Sequence, residues 1–139
     1  MKKILIESGE PVTDLNIVLV ARDCAKSLPS TLALFEVWED NYDCNFHFVF
    51  VENGSKDNTR SMLESFAKDR TAVLATPELA TIIESMPRVM RISEARNKAR
   101  ELVDQKAKWT VMIDSDIYCN PQVLEKIFAH NPGTQNIAM

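Results

Sequence analysis

Four short, almost purely apolar runs, each separated from the next by helix-forming sequence, constrain this chain more than any other feature. They are Asn16 to Ala21 (NIVLVA), Phe46 to Val51 (FHFVFV), the shorter Ala72 to Ala75, and Trp109 to Ile113 (WTVMI). A strand with one wet face alternates apolar and polar residues, whereas a run without alternation marks a strand covered on both faces. Between the runs the spacing changes. Leu28, Leu32, Phe35, Trp38 and Tyr42 recur at three- and four-residue steps, with Pro29 in the first turn, where a missing N–H costs nothing. Asn53-Gly54 turns the chain, Asp57 or Asn58 caps a helix, and Met62, Leu63 and Phe66 form its core face. Ser93 caps a third helix, with Ala95, Ala99, Leu102 and Val103 on one face. Asn120-Pro121 opens a fourth, with proline at the first helical position and Val123, Leu124, Ile127 and Phe128 buried; Asn131-Pro132-Gly133 stops it. Pro77 to Met90 carries no clear pattern, and Pro87 breaks any long helix there. Buried strands alternating with helices predict an α/β domain with a mainly parallel sheet, occupying residues 1–139 as one unit.

Composition removes several classes of function. Hydrophobic residues are 45% and charged residues 26% of the 139-residue chain, which is too apolar for disorder. The net charge is −4, so a protein that coats duplex nucleic acid is disfavoured. An acidic chain that binds phosphates needs a local basic patch or a metal ion. Aromatic residues are few and fall at buried spacing, a poor platform for single-stranded nucleic acid. After Lys2-Lys3 only Ile4, Leu5 and Ile6 precede Glu7, short of the ~7–15 apolar residues of a secretory leader. No stretch approaches the ~20 apolar residues of a membrane span. Cys24, Cys44 and Cys119 are odd in number and widely spaced, so free thiols in a reducing, cytoplasmic setting are expected.

In an open parallel sheet, ligands bind beyond the carboxyl ends of the strands, where strand order reverses. The first run leads into Arg22-Asp23, the second into Glu52-Asn53 and the fourth into Asp114-Ser115-Asp116. Polar and acidic residues therefore gather where that rule puts a site. Asp114 and Asp116 can lean toward one point, and unpaired they would repel each other in a poorly solvated cleft. A hard divalent cation removes that cost, and Mg²⁺ or Mn²⁺ is commonly held by one or two carboxylates plus substrate phosphates. An Asp-x-Asp in isolation more often caps a turn; its place after an apolar strand is what favours a metal. Glu52 stands where dinucleotide-type folds put an acid on a ribose hydroxyl. There is neither a G-x-G-x-x-G nor a G-x-x-x-x-G-K-[ST], which disfavours nicotinamide-dependent dehydrogenases and P-loop nucleotidases. Arg88, Arg91, Arg96, Lys98 and Arg100 form a basic cluster, with Lys98 and Arg100 placed to pair with Glu94 and Glu101. Arg91 and Arg96, near a helix start, are better placed for a diphosphate. His47 and His130 suit core or capping positions, and no Ser-His-Asp or Cys-His group can be assembled.

Three segments carry a resemblance. Val51-Glu52-Asn53-Gly54-Ser55-Lys56-Asp57-Asn58-Thr59 resembles the acid-Asn-Gly-Ser-x-Asp-x-Thr segment of GT-A fold glycosyltransferases. Arg91 to Ala99 (RISEARNKA) is similar to the Ala-Arg-Asn helix start downstream of it, and Asp114-Ser115-Asp116 stands at the position of the metal-binding Asp-x-Asp. The match covers about residues 16 to 130 and is nearest in character to fungal capsule-associated mannosyltransferases and related virus-encoded enzymes. The resemblance implies a Rossmann-like, mainly parallel sheet with helices on both faces. It implies a metal-dependent hexosyltransferase that moves a sugar from a UDP- or GDP-linked donor to a glycan or glycoprotein acceptor. Ala21, Arg22 and Asp23 would border the base and ribose. Glu52 would contact one of them, and Asn53 and Ser55 would shape that pocket. Arg91 or Arg96 would approach the phosphates or donor sugar. Asp114 and Asp116 would hold Mn²⁺ or Mg²⁺ beside the diphosphate, Ser115 lying between them. Such enzymes usually continue into an acceptor half that carries the catalytic base. Here 23 residues follow Asp116, none of them a convincing base. The expected architecture is accordingly truncated after the Asp-x-Asp strand and its helix. The alternative expectation is a non-catalytic nucleotide-sugar-binding module, or the donor-binding fragment of a longer enzyme. A sugar-phosphate nucleotidyltransferase is disfavoured by the missing glycine-rich phosphate loop.

Overall fold

The computed structural model describes residues 1–75, 96–115 and 119–130, together with the backbone of 136–138. The elements follow in the order β1 (Asp14–Ala21), α1 (Leu28–Asn41), β2 (Asn45–Glu52), α2 (Thr59–Ala67) and β3 (Ala72–Ala75). After these come α3 (96–102), β4 (Trp109–Asp114), α4 (Val123–Ala129) and β5 (Asn136–Ala138). Among the described residues they build one five-stranded sheet of order β3-β2-β1-β4-β5. Every pairing in it is parallel. The apolar runs form the strands expected of them, each within two residues of the expected bounds. β5 was not anticipated from the sequence.

Alternation along the strands sorts side chains onto two faces. On one face Leu15, Ile17 and Leu19 of β1 and Phe46, Phe48 and Phe50 of β2 meet Phe35 and Trp38 of α1, Leu63 and Phe66 of α2, and Leu124 and Phe128 of α4. Phe35 anchors this layer, 5.3 Å from the Phe48 ring and 6.1 Å from that of Phe66, within the range where aromatic pairs attract beyond simple burial. On the other face Val18, Val49 and Val51 pack with Ala99, Leu102 and Val103 in and beside α3. The sheet is therefore covered on both sides, which explains why its strands carry so little polarity. One exception is Asn16 on β1. It is fully buried, yet its amide donates to the Asp104 carbonyl at 3.1 Å and accepts from the Asp104 N–H at 3.0 Å. Both ends of the amide are satisfied, and β1 is tied to the segment after α3.

Several local expectations need correcting. Pro121 lies in the turn before α4 and not at its first position. The helix starts at Val123 behind the N-cap Gln122, whose N–H donates to Asn120 Oδ1 at 2.9 Å. Asn58 is the N-cap of α2 but makes no side-chain capping bond; the neighbouring Asp57 supplies the bonds instead. His130 caps the C-terminus of α4 as anticipated. His47 is half-buried at the amino edge of the sheet, its Nε2 3.5 Å from both Asp14 Oδ1 and Asp104 Oδ2. The three cysteines are free. The Ser93 cap, the 77–90 stretch and the Asn131-Pro132-Gly133 stop lie outside the described residues. No helix among the described residues is long and apolar enough to cross a membrane.

From β1 the chain moves to β2 on one side, then returns past β3 to β4 on the other side of β1. That reversal marks the position, between the carboxyl ends of β1 and β4, where open parallel sheets form a ligand crevice. It is the natural place for a ligand.

Candidate functional site

The rim of this crevice is built by two loops locked to each other. Ala21 and Glu52 are in register at the ends of β1 and β2, and the Asn53 N–H extends the pairing by donating to the Ala21 carbonyl at 2.9 Å. Beyond that point the strands cannot remain paired, because Asp23 takes a left-handed φ of 46° and Gly54 one of 75°. Glycine adopts that conformation freely, whereas an L residue such as Asp23 pays about 1 kcal/mol for it. Hydrogen bonds across the loops offset the cost. The Asp23 N–H donates to Ser55 Oγ at 3.0 Å, and Asp23 Oδ1 accepts the Lys56 N–H at 2.6 Å. The Cys24 N–H donates to Thr59 Oγ1 at 2.9 Å, and the Ala25 N–H to Asp57 Oδ2 at 3.1 Å.

Ser55, Asp57 and Thr59, spaced two apart, thus meet three successive backbone N–H groups of the β1–α1 loop. Asp57 Oδ1 also accepts the Thr59 N–H at 2.9 Å and the Thr59 hydroxyl at 2.5 Å. These contacts hold the Asp57 carboxyl below its usual range. The Thr59 hydroxyl is the largest influence and the Thr59 N–H the next, outweighing a small opposing desolvation. Asp57 and Thr59 were not among the candidate site residues. The Ser-x-Asp-x-Thr spacing within the quoted segment was the signal that pointed to them.

Glu52 is 2% exposed. One carboxylate oxygen accepts the Ser55 N–H, and the other meets Arg60 Nη1 at 3.3 Å. It points toward α2 and organises the loop from beneath. Asn53 is also buried, and its Oδ1 has no hydrogen-bond partner among the described residues; the same holds for the buried Nη1 of Arg22.

One strand over, Asp114 ends β4 in register with Val20 and its side chain is exposed. The Thr31 hydroxyl of α1 donates to the Ser115 carbonyl at 3.1 Å, fixing the turn after β4 to the helix that follows β1. Ala21, Arg22, Asp23, Glu52, Asn53 and Ser55 are accordingly brought together on adjacent strand ends, with Asp114 and Ser115 across the crevice. Arg96 is exposed on α3, the helix that covers the opposite face from α1 and α2. Arg91 and Asp116 lie outside the described residues. No group of three metal-ligating side chains is assembled among the described residues. A carboxylate exposed at the crevice, such as Asp114, nevertheless has the donor chemistry a hard cation takes when phosphates complete its shell.

A parallel sheet of this order, with its polar rim at the β1–β4 switch point, is a Rossmann-like α/β domain of the GT-A type. The same architecture is found in the crystal structure of S. aureus TarS 1–349. The two superpose with a TM-score of 0.63 at 17% identity, over 83% of this chain and 31% of that one. The chain thus spans about a third of the length of that neighbour. A family model for glycosyl transferase family 2 matches residues 16–131. The chain belongs to glycosyl transferase family 2. No curated protein sequence matches it.

Proposed function

We propose that this domain is the donor-binding and catalytic core of a metal-dependent glycosyltransferase. On this reading it transfers a hexose from a UDP- or GDP-linked donor to a glycan or glycoprotein acceptor. The observation that carries the proposal is that the carboxyl ends of β1, β2 and β4 lie side by side in one parallel sheet, the first two continued by interlocked loops and the third ending in exposed Asp114.

Within that reading the β1–α1 and β2–α2 loops form a rigid seat for the nucleoside, with Ala21, Arg22 and Asp23 on one side and Asn53 and Ser55 on the other. Rigidity there has a chemical purpose, since a donor held in one orientation presents its anomeric carbon to the acceptor without further ordering. Glu52 would contact the base or ribose, and by accepting the Ser55 N–H it also keeps the Ser55 loop in place. Arg91 or Arg96 would counter the diphosphate. Asp114 and Asp116 would hold Mn²⁺ or Mg²⁺, which supplies Lewis acidity toward the leaving diphosphate. The motif sequence ENGSKDNT and the Arg-Asn helix support a position near the capsule-type mannosyltransferases and their viral relatives, and the free cysteines suit a cytoplasmic enzyme.

The test is release of nucleoside diphosphate from a panel of UDP- and GDP-sugars in the presence of Mn²⁺. Turnover of at least one donor, slow hydrolysis included, is expected, and it should be abolished in Asp116→Ala. Metal-dependent donor binding without turnover of any donor would instead identify a non-catalytic module.

A further inference from the structure

Thr31 is a polar residue on the buried face of α1. It is 1% exposed, in company with Leu28, Phe35 and Trp38. A threonine hydroxyl inside a helix commonly bonds back to the carbonyl one turn earlier. Here that carbonyl, on Ser27, accepts the Thr31 N–H at 3.4 Å. The hydroxyl instead donates across 84 residues of sequence to the Ser115 carbonyl at 3.1 Å. Packing alone would be served by valine, which has the same shape without the hydroxyl.

The bond falls where the sheet lets go of the chain. β4 pairs with β1 as far as Asp114, which is in register with Val20. Ser115 is the next residue, and Thr31 takes hold of the main chain there. Two turns further along α1, on the same face, the Trp38 indole N–H donates to the Pro121 carbonyl at 2.9 Å. One helix therefore grips the main chain on both sides of residues 116–118.

The helix is itself anchored to the interlocked loops. The Cys24 carbonyl accepts the N–H groups of Ser27 and Leu28, at 3.1 and 2.9 Å, and the Cys24 N–H donates to Thr59. Hydrogen bonds thus run from Thr59 through Cys24, Ser27 and Thr31 to Ser115. Asp114 stands directly before the last of them, with its side chain exposed. A hard cation tolerates little error in the placement of its carboxylates, and groups that hold the ligands from behind are worth roughly 10–100-fold in metal affinity.

We propose that Thr31 is a positioning residue for a cation at the end of β4. Its hydroxyl fixes the Ser115 carbonyl and through it the placement of Asp114, and Trp38 steadies the chain at Pro121. The proposal rests on the metal-dependent donor site above and extends it to a helix face that lies outside the three sequence motifs.

It is tested by calorimetric titration of UDP and of GDP into the 139-residue chain at a series of fixed Mn²⁺ concentrations, which gives the Mn²⁺ concentration for half-maximal binding. Melting temperatures are measured alongside. Thr31→Val should raise that concentration about tenfold, while Thr31→Ser, which keeps the hydroxyl, should leave it within about twofold. Trp38→Phe keeps a ring but gives up the bond to Pro121, and should raise it at least about threefold; it decides the matter if Thr31→Val does not fold. A lower melting temperature with an unchanged Mn²⁺ requirement in Thr31→Val, or in Trp38→Phe where the valine variant is unfolded, would overturn the proposal. Equal effects of Thr31→Val and Thr31→Ser would overturn it too, since the hydroxyl would not be the cause. No Mn²⁺-dependent binding of either nucleotide to the unaltered chain would remove the donor-site reading, and the role of Thr31 with it.

Discussion

Asp57 holds Ala25 across the mouth of the sheet: its Oδ2 accepts the Ala25 N–H at 3.1 Å while its Oδ1 takes the N–H and hydroxyl of Thr59. A single exposed carboxylate therefore fixes the β1–α1 loop to the start of α2. Its ionisation is favoured in the folded state, chiefly by the Thr59 hydroxyl, then by the Thr59 N–H, so its folded pKa lies below the ordinary 3.8. The stability this contributes is complete above about pH 3.8 and is lost as pH falls through the lower folded value. Asp14 is depressed too. Desolvation there pulls upward, but hydrogen bonds from Asn45, His47 and Thr13 prevail. Asp57→Asn should therefore flatten part, not all, of the fall in melting temperature between pH 4 and pH 2. Coincident acid limbs for the two proteins would show that the carboxylate is not the tie.

Glu52 and Glu64 both pair with Arg60, at 3.3 and 3.0 Å, yet they should differ in worth. Glu52 is buried and also accepts the Ser55 N–H, whereas Glu64 is exposed. Glu52→Ala should lower stability in urea by about 2 kcal/mol, and Glu64→Ala by less than about 0.5 kcal/mol. Equal losses would contradict the role given to Glu52 beneath the loop.

Phe35 is fully buried and meets the rings of Trp38, Phe48, Phe50 and Phe66. Phe35→Ala should cost about 3–5 kcal/mol, and Phe35→Leu about 1 kcal/mol. A loss under about 1 kcal/mol for the alanine variant would mean that the α1–β2–α2 layer repacks.

Cys44 is held far from thiolate, its pKa pushed up to about 12 by burial, with the carboxylates of Asp14 and Asp43 adding to it. Alkylation of Cys44 by iodoacetamide at pH 8 should be far slower than that of a free thiol, because the thiolate is the reacting species. Rapid labelling of Cys44 in the folded protein at that pH would overturn this account of its surroundings.

Much of this architecture was legible because burial on both faces leaves its mark residue by residue. Phe46 to Val51 and Trp109 to Ile113 have almost no polar residues, so their strand type and the α/β class followed directly. β5 was missed because Asn136 to Ala138 is three residues long, too short for any period to register. Pro121 was placed at a helix start because Asn-Pro is a common opening. The chain instead spends Asn120 to Gln122 on a turn whose Pro121 carbonyl accepts the Trp38 indole N–H at 2.9 Å. The loop residues divide in the same way. Glu52, Asn53 and Ser55 could be placed at the rim from the end of a strand. That Ser55, Asp57 and Thr59 are spent on the backbone of residues 23–25 could not, since those bonds span more than 30 residues and depend on the register of β1 with β2.

The central claim is a nucleotide-sugar site whose phosphates are held through a divalent cation at Asp114 and Asp116. The most direct measurement is calorimetric titration of UDP- and GDP-sugars into the chain with Mn²⁺, then with excess chelator, repeated on Asp114→Ala and Asp116→Ala. The account predicts binding of at least one donor that vanishes with the chelator and weakens at least tenfold in Asp116→Ala. Tight donor binding that is the same with chelator and in both variants would contradict it.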